Sequence, residues 1–153
     1  MSGGMLVNNG TNGNSSNWAT APCTLTSPDY AVEAEIQMIH AALSGSDGDC
    51  NHGFGLAAHS GYRASIIYDY RNTTARLSTM DTCSGGLGDQ NFVPDIAGWH
   101  IYRLEVGGNT LTFRIDGSVM VETTNNQFAS GGQVGLWSVN TQIDVRRFEV
   151  IAL

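Results

Sequence analysis

The sequence predicts an all-β protein built as an antiparallel sandwich or barrel. Apolar and polar residues alternate over long stretches, which marks half-buried strands. Turn signals separate these stretches at short spacing, as in sandwiches and barrels. No window of useful length carries a helical period. Only 14% of the 153 residues are charged, too few for the Glu-, Lys- and Arg-rich faces of long surface helices.

Residues 1–22 are rich in Asn, Ser and Gly, and only Met5-Leu6-Val7 and Trp18 look able to pack. A flexible or partly packed N-terminal segment is expected there, followed by a single domain over 23–153. Tyr30, Val32, Ala34, Ile36 and Met38 share one face of the first clear strand, with Glu33, Glu35 and Gln37 on the other. Residues 52–59 form the next strand, Ser60-Gly61 a two-residue turn, and Tyr62 to Tyr70 the return. Arg71-Asn72-Thr73 turns into a strand over 75–80. A polar, glycine-rich loop is expected from Asp81 to about Pro94. Trp99 to Val106 alternates with Tyr102, Leu104 and Val106 inward, and Gly107-Gly108-Asn109 turns into Leu111, Phe113 and Ile115. Asp116-Gly117 is the strongest short hairpin signal in the chain, and Val119 to Glu122 returns. Val134 to Val139 and Ile143 to Ile151 complete the set. In the last strand Ile143 and Val145 share one parity while Phe148 and Val150 share the other, so a β-bulge is expected near Arg146-Arg147.

Composition excludes several functions. The net charge is -7, all seven basic residues are arginine and there is no lysine. Such a chain has no basic footprint for nucleic-acid phosphates and no Schiff-base or Walker-type lysine. No apolar run approaches the ~20 residues of a membrane span, so membrane insertion is not expected. The N-terminus has neither a basic region nor an apolar core of signal-peptide type. Either the domain was cut from a longer secreted or cell-surface protein or it is intracellular, and the composition favours the first. Three cysteines, Cys23, Cys50 and Cys83, allow one disulfide at most. If strands 52–59, 62–70 and 75–80 lie side by side, Cys50 and Cys83 fall at opposite ends of the sheet. That is too far for the ~6 Å Cα separation of a disulfide. Pairing of Cys23 with either stays open.

The order and spacing of several segments carry a family resemblance over roughly residues 28–153. They are Asp29-Tyr30-Ala31-Val32-Glu33-Ala34-Glu35-Ile36, Gly53-Phe54-Gly55-Leu56, the run from Trp99 to Leu111, Phe113-Arg114-Ile115-Asp116-Gly117, Gly132-Gln133-Val134-Gly135-Leu136-Trp137, and Ile143 to Val150. Together they resemble the concanavalin A-like superfamily and its laminin G-like domains. The resemblance implies an antiparallel jelly-roll β-sandwich with one concave and one convex sheet. It also implies a frequent role in carbohydrate binding, as a lectin or as a module attached to a glycanase. One departure is Arg146-Arg147, where the family's closing strand often has a carboxylate. That puts a calcium or sheet-capping role of that carboxylate in doubt here.

Sugar binding needs an aromatic platform for the C–H face of a pyranose, with polar groups around it for the hydroxyls. Alternation turns Gly135, Trp137 and Val139 away from Val134 and Leu136. On the concave sheet of the resemblance Trp137 would be the platform and Asn140, just past the strand, a hydroxyl partner. On the middle strands His59 shares a face with Gly55 and Ala57, and Arg63 and Asp69 share a face opposite Tyr62, Tyr68 and Tyr70. The tyrosines could be core aromatics or themselves the platform. The candidate carbohydrate-binding set is therefore Trp137, Asn140, His59, Arg63, Asp69 and Tyr70.

Glu33, Glu35 and Gln37 project from one strand face at two-residue steps, roughly 7 Å apart, near the spacing of glycosidase carboxylates. The laminarinase-type glycosidases of the same superfamily use alternating acids. However, a glutamine at the third position cannot donate a proton, and the strand comes too early in the chain. A solvated sheet face is the expectation, and no catalytic residue is assigned. Asp47, Asp49 and Asn51 alternate as oxygen ligands that could open a calcium loop, although an EF-hand is excluded by His52 and Ala58 at its sixth and twelfth positions. The expected function is a non-catalytic carbohydrate-binding module that binds glycan on the concave sheet. It is expected to be attached to other domains, with polysaccharide as partner and no cofactor other than calcium. The alternatives are a structural or adhesive module that mediates protein contacts, and a polysaccharide hydrolase or lyase.

Overall fold

The structure is a computed structural model that describes residues 6–7, 17–41, 52–59, 61–68, 73–79, 86–91, 95, 97–128 and 132–153. Asp47, Asp49, Asn51, Asp69 and Tyr70 lie outside the described residues, as do Cys50, Cys83 and the side chain of Cys23. The calcium loop and the disulfide question therefore fall outside them too.

Twelve strands form two sheets. They are β1 (Leu6–Val7), β2 (Asn17–Thr24), β3 (Tyr30–Ala41), β4 (Gly53–Ala58), β5 (Tyr62–Tyr68), β6 (Thr73–Thr79), β7 (Gly86–Asn91), β8 (Trp99–Gly107), β9 (Thr110–Ile115), β10 (Ser118–Thr124), β11 (Gln133–Val139) and β12 (Thr141–Ala152). The first sheet runs β1-β12-β3-β8-β9-β10 and the second β2-β11-β4-β5-β6-β7, with all neighbours antiparallel. The chain passes between sheets five times after β2, and this makes the jelly-roll sandwich.

The core lies where the alternation places it. Tyr30, Val32, Ala34 and Ile36 of β3 and Tyr102, Leu104 and Val106 of β8 meet Phe54 and Leu56 of β4 and Tyr62, Ala64, Ile66 and Tyr68 of β5. Of the two options for the tyrosine face, Tyr62 and Tyr68 are core aromatics. Phe54 packs edge-on against Tyr102 with ring centroids 5.3 Å apart, the T-shaped arrangement aromatic quadrupoles favour.

Turn chemistry closes the hairpins. Asp116 and Gly117 have φ of 50° and 81°, the two positive values of a type I′ turn, which suits the twist of the strands it joins. The expected bulge in β12 appears as a register shift between Val145 and Arg147. It lets Phe148 pack against the core although its parity differs from Val145. Two strands arise where the sequence shows no alternation. β7 falls inside the segment expected to be loop and pairs with β6. β2 forms in the Asn/Ser-rich region and pairs with β11.

Candidate functional site

The outer face of the second sheet carries a row of side chains that crosses all six strands. The pairing register places Trp18 of β2 beside Trp137 of β11, then Gly55 of β4, Ser65 of β5, Arg76 of β6 and Asp89 of β7. At about 4.8 Å between strands this row is on the order of 24 Å long. One end is aromatic and the other is an ion pair, with Arg76 Nη2 3.8 Å from Asp89 Oδ2. Between them the floor is small: Gly53, Gly55, Ala57 and Ser65.

Trp137 faces away from the core, as alternation requires. Val134 and Leu136 join the main core while Trp137, Val139 and Ile67 form a separate cluster on the other side of the sheet. Yet Trp137 is only 3% exposed. The Trp18 ring lies beside it, with centroids 6.4 Å apart and planes inclined at 34°. The Arg63 guanidinium covers both, 4.8 Å from the Trp18 centroid and 5.0 Å from that of Trp137. Arg63 reaches them from β5, across β4, where it stands opposite Ala57. Trp18 is 39% exposed and is the accessible aromatic of the pair. The indole Nε1 of Trp137 is buried with no hydrogen-bond partner among the described residues.

Trp137 and Arg63 thus come together, while His59 lies elsewhere. His59 has φ of 52°, which breaks the alternation of β4 and swings its ring to the end of the sandwich. It is 4% exposed there and packs on Tyr30 at 5.0 Å and Tyr62 at 6.0 Å. Its Nδ1 and Nε2 meet the carbonyls of Phe128 and Pro28. Asn140 is the one residue between β11 in the second sheet and β12 in the first. Its φ of 46° makes that corner, a left-handed conformation asparagine tolerates better than most side chains. Trp18 is the partner that sequence reasoning missed as a site residue. Its aromatic character was visible, but only the pairing of β2 with β11 places it beside Trp137.

The outer face of the first sheet holds the carboxylates. Glu33 accepts from Arg103 Nη1 at 3.1 Å and Arg147 Nη2 at 2.6 Å. Arg103 Nε also donates to Glu105, which accepts from Arg114 Nε in turn. Glu35 pairs with Arg146, and that hydrogen bond holds its carboxyl below the usual glutamate range. Arg146 also stacks over Trp99 at 4.5 Å. The two arginines that stand where the resemblance led one to expect a carboxylate therefore neutralise Glu33 and Glu35. Gln37 donates to the carbonyl of Ala97 at 2.6 Å. Among the described residues no group of three or more His, Cys, Asp or Glu side chains could hold a metal ion. No helix among them is long and apolar enough to cross a membrane.

Solved structures resemble this architecture along nearly the whole chain. The carbohydrate-binding module CBM66 from Bacillus subtilis superposes with a TM-score of 0.72 at 13% identity, over 97% of this chain and 96% of that one. The fold is a concanavalin A-like jelly roll. Within that jelly-roll class, a protein of unknown function with a galectin-like fold from Bacillus subtilis gives 0.65 at 13% identity, covering 93% and 80% of the two chains. A legume lectin-like domain from Entamoeba histolytica gives 0.61 at 12%, covering 90% and 79%. No protein-family model and no curated protein matches the sequence. At these identities the likeness concerns the jelly roll alone, so function rests on the site.

Proposed function

We propose that this chain is a non-catalytic carbohydrate-binding module of a larger extracellular protein. It takes a polysaccharide across the outer face of its second sheet. The observation that carries this reading is the indole pair Trp18 and Trp137 at one end of a row of small residues. A flat apolar ring face beside a shallow floor suits the C–H side of a sugar ring. The Arg76–Asp89 pair further along the row supplies hydroxyl partners. Asp69 and Tyr70, which follow β5 in the chain, remain candidates for the same role. The likeness in fold to CBM66, a carbohydrate-binding module, supports the same class of function.

The hydrolase alternative draws no support from β3. A glycosidase acid needs a carboxyl held protonated, whereas Arg146 pushes Glu35 the other way and Glu33 is bound by two arginines. The test is an array of immobilised oligosaccharides and polysaccharides probed with the wild-type chain. Retention of one or more polysaccharides is expected. A blank array overturns the proposal and leaves the adhesive reading as the better one.

A further inference from the structure

The platform of the proposed site is already occupied. The Arg63 guanidinium lies over both indoles, and Trp137 is 3% exposed although it faces away from the core. A guanidinium is planar, weakly hydrated and well suited to stack on an aromatic face. A sugar ring seeks the same surface. Guanidinium and sugar cannot both hold it.

We infer that Arg63 is a built-in cap on the Trp18–Trp137 platform, which a sugar ring must displace in order to bind. This rests on the reading of that face as the glycan site. The cap reaches the indoles across β4. Arg63 stands opposite Ala57, beside Gly55, and Gly135 lies on the next strand. Glycan binding is therefore an exchange of one stacked group for another. The arginine–indole contact is subtracted from the affinity, and only ligands that stack better than a guanidinium are retained. The cap raises the affinity threshold and so sharpens selection.

Two variants and two readouts test this. Arg63→Ala removes the cap, and Arg63→Gln keeps part of the stem without the stacking cation. Acrylamide quenching of tryptophan fluorescence, with no ligand present, should rise in Arg63→Ala as Trp137 becomes accessible. It should rise less in Arg63→Gln. Affinity for a polysaccharide retained by the wild-type chain should increase about 2- to 30-fold in Arg63→Ala, the range of a cation–π contact converted to a ratio. Unchanged quenching overturns the cap whatever binds. Weaker glycan binding in both variants also overturns it, because Arg63 would then be a hydroxyl partner, while the glycan-site reading stands. If the wild-type chain retains no glycan, the glycan site fails and the cap with it. Should Arg63→Ala not fold, Arg63→Gln carries the same directions.

Discussion

Trp18 and Trp137 sit side by side on neighbouring strands, yet they do different work. Trp137 is nearly enclosed, so Trp137→Ala would leave a cavity and cost about 3–5 kcal/mol. Any loss of binding in that variant is therefore confounded with loss of stability. Trp18 is 39% exposed; Trp18→Ala should cost only about 1 kcal/mol while lowering polysaccharide affinity at least tenfold. Chemical denaturation alongside isothermal titration separates the two. A large stability loss with unchanged affinity in Trp18→Ala would remove it from the site. His100 makes a second prediction at this scale. Burial opposes its charge, but Asp116 Oδ2 at 2.7 Å and the Asp95 carbonyl at 2.8 Å outweigh burial and raise its pKa. A group whose folded pKa is raised contributes stability below its unfolded value of about 6.5 and loses it as pH rises through the folded value. Asp116→Asn keeps an oxygen for the Ile101 amide and removes the charge. The wild-type advantage in melting temperature over that variant should be largest near pH 5.5 and shrink above neutrality. A constant difference would show that His100 is not charged by this contact.

The strands were legible where burial on one face imposes a period of two. β3, β8, β9 and β11 alternate, and their inward sets are the core. The slip in β12 was legible because one bulge is the simplest way to reconcile two parities. β7 and β2 were not, because they are edge strands whose order comes from β6 and β11 rather than from their own pattern. The placement of Trp18 was hidden for the same reason. His59 leaves the face that alternation gave it because it takes a positive φ, and strand periodicity does not extend through such a residue. Cross-strand packing also fixes Gly55. A Cβ there would collide with the carbonyl oxygen of Ala64 on β5, so β4 and β5 approach more closely than a side chain permits. Gly55→Ala should destabilise the fold by about 1–3 kcal/mol through overpacking, measured by urea denaturation. A neutral effect would mean that the strands separate there without loss.

Among the described residues the charges divide unequally between the two sheets. Four of the seven arginines, Arg103, Arg114, Arg146 and Arg147, lie on the first sheet, each hydrogen-bonded to a glutamate. Burial works against the charge of Glu105, but Arg103 and Arg114 more than offset it and lower its pKa; Arg146 lowers that of Glu35. A lowered carboxyl pKa gives stability that is present above the unfolded value and is lost as pH falls through the folded one. Acid should therefore loosen the first sheet, with the melting temperature falling below about pH 4. A melting temperature that stays level to pH 3 would show that the arginine lattice adds nothing. The outer face of the second sheet carries the Trp18–Trp137 pair and small residues, the face proposed above to take glycan. The three tryptophans report on this division: Trp18 and Trp137 are on the second sheet, and Trp99 lies under Arg146 on the first. The most direct test is to follow their three indole N–H resonances by 15N NMR during titration with a retained polysaccharide. Shifts of Trp18 and Trp137 with Trp99 unmoved are expected; binding that moves Trp99 alone, or none of the three, would contradict the assignment of the glycan site to the second sheet.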